Sequence, residues 1–156
     1  MTADGKTASK TGKSKWITGE KSRLFVHQLR NRYSCILAGI GTVLSDNPLL
    51  TSRIPGGRNP VRIICDSKLR IPLDCNIVKT AKEIPTIIAC CQENEKKSAL
   101  EKSGCEVLCL PGKTGVDLKK LTKTRGERSL DSVLIEGGSE IHCSALEAGF
   151  VQHIYA

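Results

Sequence analysis

At 156 residues the chain is long enough for one domain that buries roughly 70% of its unfolded surface, so a core forms without staples. With 39% hydrophobic and 26% charged residues it is neither disordered nor fibrous, and no apolar run approaches the ~18 residues of a membrane helix. A net charge of +8 points to anionic partners, but with only 3% aromatics a protein that stacks nucleic-acid bases is disfavoured against one that binds small phosphorylated ligands.

Residues 1–15 are small, polar and basic and predict a loop or arm. Thr18 is placed to cap a helix reaching about Tyr33, with Glu20 in the dipole-favoured first turn and Leu24, Phe25 and Leu29 as its apolar stripe. The stretch from Cys35 to Ile40 is a short unbroken apolar run, as a fully buried strand requires, and it breaks at Gly39 and Gly41. After a Pro/Gly-rich loop at 55–60, Val61–Cys65 predicts a second strand ending at Asp66-Ser67, and Thr86–Cys91 a third. A polar helix from about Asn94 to Ser103 stops at Gly104, and Glu106–Leu110 predicts the fourth strand. Asp117 can cap a helix that Gly126 ends. Ser132–Ile135 predicts a fifth strand, broken by Glu136-Gly137-Gly138, and a last helix runs towards Gly149. His153-Ile154-Tyr155 reads as a strand just starting.

Strands alternating with helices predict an α/β fold around a mainly parallel sheet flanked by helices. A basic opening arm and a strand begun at the close read as a domain truncated at both ends.

Eight cysteines would suit a disulfide framework, but Cys35, Cys65, Cys90, Cys91, Cys105 and Cys109 sit inside apolar runs, where a free thiol behaves as a small hydrophobe. No C-x-x-C or paired Cys/His spacing suggests a metal. Reduced, mostly buried thiols are expected, and hence a cytoplasmic setting.

Three glycine-containing stretches bear on phosphate. Gly12-Lys13-Ser14 resembles the end of a P-loop but lacks the earlier glycine, since position 7 is Thr7, and no strand precedes it. Gly39-Ile40-Gly41-Thr42-Val43-Leu44 follows a strand as a dinucleotide fingerprint should, yet Leu44 stands where the third glycine belongs. Glu136-Gly137-Gly138-Ser139 lies between a strand and a helix, where backbone N–H groups attract anions, and the carboxylate beside it suggests a polar substrate group next to a cofactor. His27, His142 and His153 show no nucleophile–base pattern. Several anion sites without acid–base apparatus point to a cofactor that supplies the reactive atom, as in hydride transfer.

Read together, Ser14-Lys15-Trp16-Ile17-Thr18, Val26-His27-Gln28-Leu29-Arg30, the block from Gly39 to Arg53, Asn59-Pro60-Val61-Arg62, Asp66-Ser67 and Ile135-Glu136-Gly137-Gly138 form an ordered series. The series closely resembles the reductase domain of the bifunctional riboflavin-biosynthesis deaminase/reductase, from Asp4 to Tyr155. The resemblance implies a dihydrofolate-reductase-like fold and NADPH-dependent reduction of the ribosyl group of 5-amino-6-(5-phosphoribosylamino)uracil to ribityl. It implies a soluble multifunctional enzyme, with no membrane or nucleic-acid partner and with homo-oligomers of the full-length protein. It also implies sheet strands beyond both ends and a deaminase domain upstream of this chain.

By the same resemblance Ser14, Arg30, Leu50, Arg53 and Glu136 are substrate positions. Trp16, Thr42, Asp46, Ser67 and the run Gly138, Ser139, Glu140, Ile141, His142, Cys143 and Ser144 are cofactor positions. His142 stands where the family more often has Asn, and Ser139 replaces a third glycine of some members. Each assignment has a physical counterpart: Arg30 and Arg53 suit a bidentate phosphate clamp, and Trp16 offers a flat face to an aromatic ring. Ser67, with Lys68 and Arg70 after a strand, suits a 2′-phosphate. Glu136 and Asp46 are the candidate proton donors, and no metal is expected. The rival readings are a pterin or folate reductase of the same fold and a basic, non-enzymatic nucleic-acid-binding module.

Overall fold

The computed structural model describes residues 19–127 and 129–155. The predicted arm, Thr18 and the two site candidates Ser14 and Trp16 lie outside them.

Five strands form one sheet: β1 (Cys35–Gly39), β2 (Val61–Cys65), β3 (Thr86–Cys90), β4 (Cys105–Cys109) and β5 (Val133–Ile135). The helices are α1 (Glu20–Arg32), α2 (Ile40–Asp46), α3 (Asn76–Lys79), α4 (Lys96–Lys102), α5 (Leu118–Glu127) and α6 (Ser139–Glu147). Strand order is β4-β3-β2-β1-β5, and every pairing is parallel. Leu37 lies opposite both Ile63 and Ile135, so the strands finish nearly level. The apolar stretches of β1, β2 and β3 follow from this architecture, because these strands are covered on both faces.

Successive strand residues point to opposite faces. Ile36, Ala38, Ile64 and Ile88 pack with Val43 of α2, Ile77 and Val78 of α3 and Leu100 of α4. Cys35, Leu37, Ile63 and Ile87 pack on the other side with Leu118 and Leu121 of α5 and with Ile141 and Ala145 of α6. From β1 to β4 the chain steps one way across the sheet. It then returns through α5 to set β5 on the free side of β1. Where the direction reverses, the segments leaving β1 and β5 diverge and open a crevice at the strands' C-terminal ends.

The fully buried Arg62 ties the first layer together without a carboxylate. Its guanidinium donates to the hydroxyls of Thr80 and Thr86 and to the carbonyls of Leu49, Ile77 and Ile84, at 2.7–3.2 Å. Burial pulls its pKa down to about 10, so the side chain stays cationic at neutral pH.

The structure departs from the sequence reading in several places. Gly39-Ile40-Gly41-Thr42 runs directly into α2, a helix the spacing did not predict because its seven residues are too few to show a period. His153-Ile154-Tyr155 is not a strand. Tyr155 lies on α1 instead, edge-to-face with Phe25 at 5.7 Å and hydrogen-bonded to the Tyr33 hydroxyl at 3.0 Å. Of the predicted α1 stripe only Leu29 is buried, while Leu24 and Phe25 are 56% and 44% exposed. All eight cysteines are free thiols, but Cys109 and Cys143 are exposed and Cys65 and Cys91 only half-buried. Burial pushes the Cys65 thiol up to about 12 and Cys90 and Cys105 to about 11, which leaves them protonated and unreactive.

Candidate active site

A cleft of about 960 Å³ opens at the C-terminal ends of β1 and β2, beside the start of α6. Its floor is the turn from Gly39 to Thr42, where β1 passes into α2. A Cβ added to Gly41 or Gly138 meets nothing within 4 Å, so both backbones face open space. Gly137 has φ +116°, and a Cβ there would lie 2.5 Å from Thr42 Oγ1. This contact seats the β5–α6 connection on the first turn of α2. Gly138 caps α6 with extended backbone and no side-chain hydrogen bond, so the helix's first N–H groups and Ser139 border the cleft.

The second wall follows β2. Asp66 is fully buried; its Oδ2 accepts the Ile71 N–H at 2.7 Å and its carbonyl the Leu69 N–H at 3.1 Å. Leu69 adopts φ +51° within this turn and buries its side chain, as does Ile71. The side chains between them, Ser67, Lys68 and Arg70, are thereby presented to the cleft. The Ser67 carbonyl accepts the Cys91 N–H, and the Lys68 carbonyl accepts from the Asn94 side chain, so the turn is held from behind. Among the described residues Asp66 Oδ1 has no hydrogen-bond partner.

A second group of side chains adjoins the first through Glu136. Its N–H donates to the Leu37 carbonyl, which extends the β1–β5 ladder by one residue and turns Glu136 to the same face as Leu134. There it meets Arg30 of α1 in a two-toothed ion pair: Nε to Oε1 at 2.9 Å and Nη2 to Oε2 at 2.6 Å. Arg30 Nη1 also donates to the Thr51 carbonyl at 3.1 Å. His27, one turn earlier on α1, contacts the same carbonyl through Nδ1 at 3.3 Å. Its pKa is lowered, first by burial and then by the Arg30 and Arg53 charges. Arg53 is exposed and makes no ion pair among the described residues.

Two predicted substrate residues, Arg30 and Glu136, are thus each other's partner across 106 positions, a pairing that sequence proximity could not reveal. Leu50 has φ +53° and a buried side chain, so only its backbone is available to a ligand. Thr42, Ser67, Gly138, Ser139, Glu140, Ile141 and Ser144 line the cleft. His142 and Cys143 do not line it: His142 Nε2 lies 3.3 Å from the Ile135 carbonyl, and the Cys143 thiol faces Glu147. Asp46, at the end of α2, is exposed and accepts a hydrogen bond from Ser45, also outside the cleft lining. His27 has no partner pattern in the sequence, yet the fold sets it on the same Thr51 carbonyl as Arg30; its i, i+3 spacing to Arg30 was the available signal.

A smaller cavity of about 360 Å³ lies at the opposite end of the sheet, among Val61, Pro85, Thr86, Gly104 and Leu130, with Glu106 its one charged side chain. No three His, Cys, Asp or Glu side chains gather as a metal site among the described residues, and no helix there is long and apolar enough to cross a membrane.

Known proteins share this arrangement. The chain is 50% identical over 157 aligned residues to riboflavin biosynthesis protein RibD of Actinobacillus pleuropneumoniae, covering 99% of this chain and 42% of that protein. It is 34% identical to a 2,5-diamino-6-ribosylamino-4(3H)-pyrimidinone 5′-phosphate reductase of Methanothermobacter thermautotrophicus, covering 99% of this chain and 71% of that protein. Among solved structures, a diaminohydroxyphosphoribosylaminopyrimidine deaminase/5-amino-6-(5-phosphoribosylamino)uracil reductase from Thermotoga maritima superposes with a TM-score of 0.80 at 36% identity. That match covers 94% of this chain and 39% of the other. The chain therefore spans about two fifths of the length of the RibD proteins it matches. The model of the RibD C-terminal domain matches residues 1–156, and the chain belongs to that family.

Proposed function

We propose that this chain is an NADPH-dependent reductase of riboflavin biosynthesis that converts the ribosyl group of 5-amino-6-(5-phosphoribosylamino)uracil to ribityl. The observation that carries the reading is the Glu136–Gly138 connection: Glu136 holds Arg30, one turn from His27 on α1, and two residues on Gly138 lines the glycine-bearing cleft. A dinucleotide fits the cleft on its own features. Gly41 and Gly138 give a pyrophosphate access to backbone, the start of α6 supplies N–H groups, and Ser67, Lys68 and Arg70 supply a basic pocket. Trp16 and Asp46 are further cofactor residues in this reading. Bound there, NADPH would provide the hydride.

The protein's own work is positioning. Arg53, with the backbone at Leu50 and the Ser14 side chain, holds the substrate phosphate. Arg30 fixes both carboxylate oxygens of Glu136, so that this side chain meets the substrate in one orientation beside the cleft. A neutral His27 adds no third positive charge at pH 7. A ribosyl group opened to an imine would present C1 to that hydride, and the chain's part is to hold this carbon beside the cleft. Asp46, rather than Glu136, whose two oxygens both accept from Arg30, is the candidate proton donor in this reading. The full-length protein would be a cytoplasmic homo-oligomer that binds neither membrane nor nucleic acid.

The Methanothermobacter relative's name favours one alternative substrate, the pyrimidinone that has not been deaminated. NADPH oxidation by this chain with each pyrimidine separates the two, and oxidation with neither would reject the assignment. The site itself is tested by Arg53→Ala. An unpaired substrate phosphate should cost about 2–4 kcal/mol, roughly 30- to 1000-fold in kcat/KM, with NADPH affinity unchanged. Parent kinetics in the folded variant would remove Arg53 from the site.

A further inference from the structure

Opposite the Ser67–Arg70 turn stands a second tight turn. Pro111 and Val116 pair as an antiparallel bridge, and the Gly112 N–H donates to the Gly115 carbonyl at 2.8 Å, which puts Lys113 and Thr114 at the tip. The turn is tight within itself and lies against Ser67. A Cβ on Gly112 would lie 2.7 Å from the Gly115 carbonyl oxygen, and one on Gly115 would lie 3.5 Å from Ser67 Oγ. The base of the turn is anchored as well: the Asp117 N–H donates to the Leu110 carbonyl at 2.8 Å, and the Asp117 carboxylate caps α5 by accepting the Lys120 N–H at 3.0 Å.

The outcome is a notch around Ser67 with Lys68 and Arg70 on one wall and Lys113 on the other, all lining the cleft. None of the three cations makes an ion pair among the described residues. Of the cleft's acids, Asp117 is committed to the α5 cap, and Glu140 and Glu147 belong to α6. Three like charges held by two rigid turns repel one another when the notch is empty, and a dianion between them reverses the sign of that energy.

We propose that Lys113 is a specificity-determining residue: the Gly112–Gly115 turn forms the second wall of the notch and takes the cofactor's 2′-phosphate against Ser67, Lys68 and Arg70. This rests on the reading of the cleft as an NADPH site. Isothermal titration of the whole chain with NADPH and with NADH tests it, in the parent, Lys113→Ala, Lys113→Glu and Arg70→Ala, with melting temperatures checking the fold. Lys113→Ala should weaken NADPH roughly 5-fold, the scale of one solvent-exposed charge contact, and leave NADH unchanged. Lys113→Glu should weaken NADPH further, and raising the salt should shrink both effects. If Arg70→Ala loses NADPH while both Lys113 variants bind it as the parent does, the inference falls and the cofactor reading stands. Equal weakening of both cofactors by Lys113→Ala also overturns it, since Lys113 would then serve another part of the ligand. A parent chain that prefers neither cofactor overturns the cofactor reading, and this inference with it.

Discussion

Gly137→Ala tests the geometry that joins the two halves of the site. Gly137 sits at φ +116°, which side-chain-bearing residues rarely adopt, and forcing alanine there costs roughly 1–3 kcal/mol. The new methyl group would also stand 2.5 Å from Thr42 Oγ1, well inside contact distance. Thr42 belongs to α2 and is β-branched, so it cannot simply rotate away, and overpacking of this kind adds roughly 1–3 kcal/mol. The sum is about 2–6 kcal/mol, a large part of a small domain's stability. Only the second contribution depends on the threonine oxygen: with Thr42→Ala the nearest remaining atom is Thr42 Cβ at 3.4 Å, an ordinary contact. Urea unfolding of the parent, both single variants and the double variant therefore should show a favourable coupling of about 1–2 kcal/mol. A Gly137→Ala midpoint equal to the parent's, or an identical penalty with and without Thr42, would refute this account of how the β5–α6 connection is seated.

Two further outcomes follow from buried polar groups. Arg62→Met should destabilise the chain by about 3 kcal/mol or more by removing the hydrogen bonds its guanidinium gives to the carbonyls of Leu49, Ile77 and Ile84 and to two threonine hydroxyls; a melting temperature within a degree of the parent's would contradict this. His27, with its pKa lowered below 6.5 in the fold, binds a proton more readily when unfolded, so its contribution is full above about pH 6.5 and is lost as the pH falls through its folded value. Stability measured from pH 5 to 7.5 should fall on the acid side, and His27→Asn should flatten that limb. An unchanged slope in the variant would show that His27 is not the group responsible.

Local chemistry made much of this protein legible in one dimension. Apolar, β-branched stretches at 35–40, 61–65 and 86–91 announce strands covered on both faces, and Asp117 and Gly104 mark helix ends by the hydrogen bonds and backbone angles such ends need. The ordered motifs around Gly39–Arg53 and Glu136–Gly138 were equally visible, and with them the family. Partners distant in sequence were not. That Glu136 holds Arg30 and that Gly137 rests on Thr42 depend on β5 returning to the free side of β1, and that the 112–115 turn closes on Ser67 depends on the path from β4 back towards β2. Short elements escaped for a related reason: α2 and α3 have seven and four residues, too few for a period to emerge, and they are helical because Val43, Ile77 and Val78 have a sheet to pack against. The sequence thus determined which residue types line the site, while the choice of which oppose, pair or repel one another belonged to the tertiary structure, since hydrogen bonds and charges act through space at a few ångströms.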